Sequence, residues 1–361
     1  MSSTEKRNTF SKNELRDFQL KSLEMLLYFK KICDENNLLF YFCGGCCIGS
    51  LRNKGFIPWD DDVDVFMPRE DYERLNEVWE KCADTKRYSC LRTNKDMFVG
   101  NIFTTIVDNN TTFIRPNQVN LDIPKGLVID VFPLDGCPSS RFARNMQKFW
   151  ALIFSLYLAQ LVPENHGKAV TLIGKLMLGI VPSKSIRYKI WKFAEKHMSK
   201  YKIEDCKFIT ELCAGPGYMK NEYPKEAFES AVYKEFEGYM MPIPVGYHEY
   251  LTMAFGDYMT PPPEDKQVAH HDVIFYDLDN SYKKYKGKTV DELKELYKEM
   301  KKEKDEETKN RFMIWSADMD IRYDRVFSII DILEENMKKW GNVLPFYRNV
   351  KKEGLVLWKA A

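Results

Sequence analysis

The stretch Tyr41–Met67, YFCGGCCIGSLRNKGFIPWDDDVDVFM, constrains the fold more than any other part of the chain. The apolar run LLFYF reads as a buried strand that delivers Gly44 and Gly45 to the start of a helix. Glycine lets a backbone turn sharply and approach a ligand closely. A helix N-terminus adds free N–H groups that suit a phosphate. A lone Gly-Gly is more often only a turn. What raises its weight is the next element, Asp62 to Met67, which alternates as a strand does. Val63 and Val65 point to a core, and Asp62 and Asp64 share the opposite face. Adjacent carboxylates on one face repel, and a hard cation relieves that repulsion. Mg²⁺ beside a phosphate is the usual case, and Mn²⁺ can replace it. Asp130, apolar-flanked in Val128-Ile129-Asp130-Val131, supplies a third carboxylate. If its strand neighbours the first, the three converge. An acidic run alone would read as surface, but this order of features disfavours that.

Around this stretch the pattern predicts alternating helices and strands. Residues 12–36 carry Leu20, Leu23 and Leu27 at helical spacing, widened by Leu15, Phe18 and Leu26, with Ser11 as N-cap. CCIGSLRNKG reads as a short helix ending at Gly55. Pro68 opens a helix over 69–82. YSCLRT, NIFTTIVD and 126–132 read as strands, the last running into PLDG. A helical insertion follows over 139–205. Strand-like segments return near 208–214 and 231–243, then a short helix at 247–255 and a rigid PPP loop at 261–263. The last eighty residues read as lysine-rich helix, with 298–310 a solvated helix and GLVLW a small apolar tail.

Composition excludes several classes. A chain of 361 residues with 44% hydrophobic and 30% charged residues can bury a sizeable core. Net charge is +1, so there is no electrostatic case for nucleic acid. Nine cysteines are scattered, with only Cys43, Cys46 and Cys47 close together and no second ligand pair for zinc. They read as reduced, packed thiols, which implies a cytoplasmic protein. The polar start MSSTEKRNTF is no secretory signal. The longest apolar run, Phe149 to Val162, is too short for a routine membrane span.

Three blocks in order resemble the LicD family. The first is Arg52, Gly55, Phe56, Ile57, Pro58, Trp59, Asp60, Asp61, Asp62 and Asp64; the second is Ile129, Asp130, Phe132, Pro133, Leu134 and Asp135. The third is Phe236, Glu237, Gly238, Tyr250, Leu251, Gly256, Asp257, Tyr258, Met259, Pro261 and Pro262. The blocks lie within 36–272. The wider nucleotidyltransferase pattern is matched more loosely, since sixteen residues separate Gly45 from Asp62. Departures are Phe255 where many relatives have Tyr, Gln267 where a basic residue is common, and Thr104 and Thr105 where relatives carry a cation before the Asn-x-Thr-Thr turn.

The resemblance implies an α/β (α+β) fold with a nucleotidyltransferase-like mixed-sheet core. Residues 1–138 would form its first part, 139–205 the insertion, 206–280 the return to the core, and 281–361 a helical C-terminal region. It also implies transfer of phosphocholine from CDP-choline to a glycan or glycolipid hydroxyl; a CDP-polyol donor and an inactive nucleotide-binding protein are the alternatives. Asp62, Asp64 and Asp130 would hold the metal, with Asp130 also placed to accept the acceptor's proton. Gly44, Gly45 and Ser50 would cradle phosphate, with Arg52 and Lys54 as charge partners; a plain surface role for Arg52 is equally open. Trp59 could face a quaternary ammonium or belong to the core. His270 and His271 could touch phosphate or cap a loop. Glu237 could position the acceptor or anchor a loop. The insertion reads as a cap packed on the core, or else as an interfacial pair suited to a lipid-carried acceptor at the inner membrane face.

Overall fold

In a computed structural model the described residues are 10–160, 168–269, 271–303 and 306. His270, most of 304–310 and the GLVLW tail lie outside them. The chain divides into two compact units, Met1–Lys286 and Gly287–Ala361. In the second, 290–303 is helical, and its start carries a reciprocal cap. Thr289 N–H donates to the Glu292 carboxylate, and Glu292 N–H donates to Thr289 Oγ1.

The first unit is α+β. Helix α1 (Lys12–Glu35) starts at Ser11 with a full capping box to Glu14. Its buried stripe includes Leu15, Phe18, Ser22, Leu23, Met25, Leu26, Phe29 and Ile32. Leu20 faces solvent at 46% exposure, so the stripe is rotated from the leucine spacing. Phe29 and Met25, not Leu20 and Leu27, complete the period. Strand β1 (Tyr41–Phe42) leads to α2 (Gly44–Arg52), then β2 (Asp64–Pro68), α3 (Arg69–Cys82), β3 (Tyr88–Leu91), β4 (Thr104–Asp108), β5 (Thr112–Ile114) and β6 (Val128–Cys137). Helices α4 (Arg141–Ala159), α5 (Lys168–Ile180) and α6 (Lys184–Met198) form the insertion. The chain returns through β7 (Phe208–Glu211), β8 (Tyr223–Pro224), β9 (Ala231–Phe236), β10 (Tyr239–Pro244), α7 (Tyr247–Phe255) and β11 (Phe275–Asp277).

The main sheet has the order β1-β2-β6-β4-β3, with β7 on the second half of β6 and β8 on β7. Among the described residues only β2 and β6 pair in parallel; the other pairs of this sheet are antiparallel. This makes β6 the centre of the sheet. It continues five residues past the strand predicted over 126–132, through Pro133. Asp130 N–H donates to Val63 O across to β2, so the ring nitrogen of Pro133, three residues on, faces the other edge. There it falls between the last β4 pair, at Val131, and the first β7 pair, at Leu134, where no ladder bond is needed. The sequence reading missed β5, which pairs with the distant β11. It also ended α2 at Gly55, whereas α2 stops at Arg52 and Lys54 takes the left-handed conformation.

The insertion has its own core, built from Phe154, Leu158, Trp191, Ala194 and Met198 against Leu212 and Met219. A buried polar network pins it to the sheet. Arg144 donates to Thr210 Oγ1 and to the carbonyls of Met219 and Asn221, and Gln147 donates to Gly136 O and Met198 O. Buried groups satisfied in this way fix one docking geometry. The inner face of the insertion is therefore a cap on the core.

Candidate functional site

The parity read from the sequence is realised at the N-terminal ends of β2 and β6. Val63 and Val65 are buried, while Asp62 and Asp64 stay partly open. Asp64 pairs in register with Asp130, and Asp130 pairs in register with Thr105 on β4. Side chains at paired positions share a face, so Asp64, Asp130 and Thr105 form one row across three strands. Thr105 Oγ1 donates to Asp130 Oδ1 at 2.9 Å, and Asn101 Nδ2 donates to Thr105 Oγ1 at 3.0 Å.

Asp60 and Asp62 close the cluster. The two carboxyls stand close enough to shift one another's proton affinity. Burial, and then the neighbouring Asp62, push the Asp60 and Asp64 carboxyls well above the ordinary range. Burial also raises Asp62 and Asp130, against the opposing pull of His271 and Arg115 respectively. The donor set is all oxygen, with negative charge crowded in a partly buried place, and this chemistry fits a hard divalent cation. Among the described residues no three His, Cys, Asp or Glu side chains are drawn together at ligand spacing.

The glycines serve different ends. Gly44 has φ +48, and its N–H donates to Tyr250 Oη at 3.0 Å. A Cβ on Gly45 would lie 2.0 Å from Asp60 Oδ2. Gly45 is thus the space into which the Asp60 carboxylate fits. Gln19 Nε2 holds the same loop by donating to Ile57 O and Asp60 O, each at 3.0 Å.

The other expected residues are placed as follows. Asp61 is buried and accepts from His271 N–H at 3.1 Å and His271 Nδ1 at 3.0 Å. His271 also stands 3.9 Å from Asp62 Oδ2. Burial, the largest effect, disfavours its charge, but the hydrogen bond to Asp61 together with the negative charges of Asp61 and Asp62 outweighs it and raises the imidazole above its ordinary value. Arg52 lies 5.6 Å over the Trp59 ring and donates to Tyr258 O at 3.3 Å. Ser50 Oγ is buried and donates to Cys46 O. Lys54 is exposed and pairs with Glu235, so its ammonium is directed at the β9 strand. Glu237 anchors a loop: Arg16 grips its carboxylate with two bonds of 2.9 and 2.6 Å, and Phe56 N–H donates to it at 3.1 Å. Those bonds hold Glu237 at φ +52, which with Gly238 at +81 makes the tight β9–β10 turn. The thiols of Cys43, Cys46 and Cys47 are buried and free, and burial pushes each of them up.

Sequence reasoning missed Arg115. Its Nη1 is 4.0 Å from Asp130 Oδ2, and its side chain is 14% exposed. Nε and Nη2 are buried with no hydrogen-bond partner. The available signal was an arginine two residues after Phe113, closing the apolar run TTFIR. The family pattern puts a cation before the Asn-x-Thr-Thr turn, where Thr104 and Thr105 stand; here Arg115 comes after that turn.

The LicD/FKTN/FKRP nucleotidyltransferase-domain family matches residues 37–146, which hold the carboxylate row, Thr105 and Arg115. The chain is 32% identical to the lipopolysaccharide cholinephosphotransferase LicD of Haemophilus influenzae, over 71% of this chain and 96% of that protein. It is 24% identical to mannosyltransferase regulator 4 of Saccharomyces cerevisiae, over 47% of this chain and 14% of that protein. An uncharacterised protein of Rickettsia prowazekii is 25% identical over 25% of this chain and 40% of its own length. With the row of carboxylates on β2 and β6 and a near full-length match to a cholinephosphotransferase, the chain belongs to the LicD family and is a phosphotransferase.

Proposed function

We propose that this enzyme transfers phosphocholine from CDP-choline to a hydroxyl of a glycan or glycolipid and releases CMP, with Mg²⁺ or Mn²⁺ bound. The observation that carries the reading is the register pairing of Asp64 with Asp130, beside Asp62 and facing Arg115. The choline cargo and the glycolipid acceptor are supported by the relative that covers 96% of its length with this chain.

Asp62, Asp64 and Asp130 would hold the cation, which would neutralise charge on the donor's phosphate oxygens and on departing CMP. The protein's own groups do the rest. Arg115 brings two unpartnered N–H groups to the edge of the cluster, suited to a phosphate oxygen. Thr105 fixes Asp130 in one rotamer, leaving Asp130 Oδ2 to take the acceptor hydroxyl's proton. His271, tethered to Asp61, stands beside Asp62 as a second donor for phosphate. Gln19 and Glu237 keep the 54–60 loop in place.

The test is incubation of the protein and Mg²⁺ with CDP-choline, CDP-ribitol, CDP-glycerol or CDP-ethanolamine and a lipopolysaccharide acceptor, read by mass spectrometry. Preference for CDP-choline is expected. Preference for a polyol donor would end the choline reading and leave phosphotransfer standing.

A further inference from the structure

The insertion's outward face is apolar and basic at once. On α4, Phe142 is 76% exposed, and Phe149 is also exposed. On α6, Phe193 is exposed and joins Trp150 and His197 in ring contacts of 4.0 to 5.3 Å. Phe149 meets Trp150 at 5.2 Å, so these aromatics bridge the two helices at the surface. On α5, Leu172, Leu176 and Ile180 recur every four residues, and each is more than 60% exposed. That spacing lines them up along one side of the helix. Scattered apolar residues on a surface need no explanation, but an aromatic and aliphatic face of this extent marks an interaction site.

Charge selects the occupant. Residues 139–205 hold twelve Lys or Arg against four Asp or Glu, in a chain whose net charge is only +1. The three helices carry a single acid, Glu195, which is buried beneath Arg92 and Lys192. Exposed lysines such as Lys175, Lys189 and Lys196 accompany the apolar side chains. A second copy of this face would bring like charges together. An acidic protein groove would satisfy the lysines but leaves the spread of aromatics over three helices without a matching shape. An anionic bilayer meets both demands. Aromatic rings sit at the headgroup level, aliphatic side chains enter the acyl boundary, and lysines meet lipid phosphates. No helix among the described residues is long and apolar enough to cross a membrane, so the contact would be one of lying on the surface.

We propose that the outward face of α4, α5 and α6 is a docking surface for an anionic lipid bilayer, which brings the enzyme to an acceptor carried on a lipid. The lipid-borne acceptor rests on the function proposed above; the docking rests on the face alone.

Full-length protein is floated with vesicles of equimolar phosphatidylglycerol and phosphatidylcholine, and with phosphatidylcholine alone. At least about tenfold stronger binding to the anionic vesicles is expected, weakened by salt. Phe142→Ser with Phe149→Ser and Phe193→Ser should abolish flotation, and Lys175→Gln with Lys189→Gln and Lys196→Gln should reduce it to the phosphatidylcholine level. Thermal melts control for folding. Transfer to a soluble glycan fragment should be unchanged in both variants, while transfer to a vesicle-borne acceptor falls. Wild-type protein that stays unbound from anionic vesicles overturns the proposal, whether because the face is covered or because lipid is not its partner. So does an apolar triple variant that still floats like wild type, or one whose only change is loss of a dimer by mass measurement. Flotation without transfer from any CDP ester would sink the donor reading and leave docking intact; transfer without flotation would do the reverse.

Discussion

Asp64 on β2 and Asp130 on β6 stand opposite one another in the parallel pairing at the centre of the main sheet. A parallel pair needs a long crossover, and here the chain between them supplies α3, β3, β4 and β5. The crossover therefore also delivers Thr105 and Arg115 to the same carboxylates.

Asp62→Asn and Asp64→Asn should each remove most transfer activity while leaving the fold intact. Each removes one charge from a set whose members already raise one another's proton affinity. Melting temperature in chelator should be unchanged or higher. A large drop would show that these carboxylates are structural.

Arg115→Ala should lower kcat by roughly a hundredfold or more, in the range seen when a donor to transition-state charge is removed. Arg115→Lys should recover part of that, because it restores charge without the planar fork. Steady-state kinetics at saturating donor provide the check. Wild-type kcat in Arg115→Ala would remove Arg115 from the site.

Asp135, which ends the second block of the family pattern, is not at the carboxylate cluster. It is fully buried and takes both prongs of Arg69, at 2.8 and 2.7 Å. Asp135→Ala would leave a buried guanidinium without that partner, a loss of about 3–5 kcal/mol. Chemical denaturation should show it, with residual native protein still active.

Glu211 gives the protein a pH-dependent stability. It is buried and accepts from Tyr223 Oη and Asn221, and burial raises its carboxyl to about 7. A raised value in the fold means stability that is whole below the unfolded carboxyl's range and is lost as pH rises through about 7. The loss is on the order of 3 kcal/mol once pH is well above that value. Glu211→Gln should be close to wild type at pH 5 and the more stable of the two at pH 8. Parallel denaturation curves for the two proteins at both pH values would contradict this.

Legibility differed by the range of the interaction. The strand period alone put Asp62 and Asp64 on one face, and apolar flanks marked Asp130. Those are local signals, and the sheet respects them. Gly45 was visible as a glycine, but its reason was not: it makes room for Asp60, which follows on a loop held by Gln19 from α1. The hydrogen bond between Asp61 and His271 spans 210 residues, and no spacing rule reaches that far. Glu237 was equally readable as an acceptor contact or an anchor, and only the placement of Arg16 beside it decides. Arg115 is not legible because β5, the strand that places it, is too short to read. Its partner, β11, lies more than 150 residues later, and three residues carry too little periodicity.

The central claim is divalent-metal-dependent phosphotransfer from a cytidine diphosphate ester at the Asp62–Asp64–Asp130 cluster. It is tested most directly by following CMP release from CDP-choline with a lipopolysaccharide acceptor, in chelator and after adding Mg²⁺ or Mn²⁺, for wild type and Asp64→Asn. The account predicts no release in chelator, restoration by either cation in wild type, and none in the variant. Full release in excess chelator, or an equally active Asp64→Asn, would contradict it.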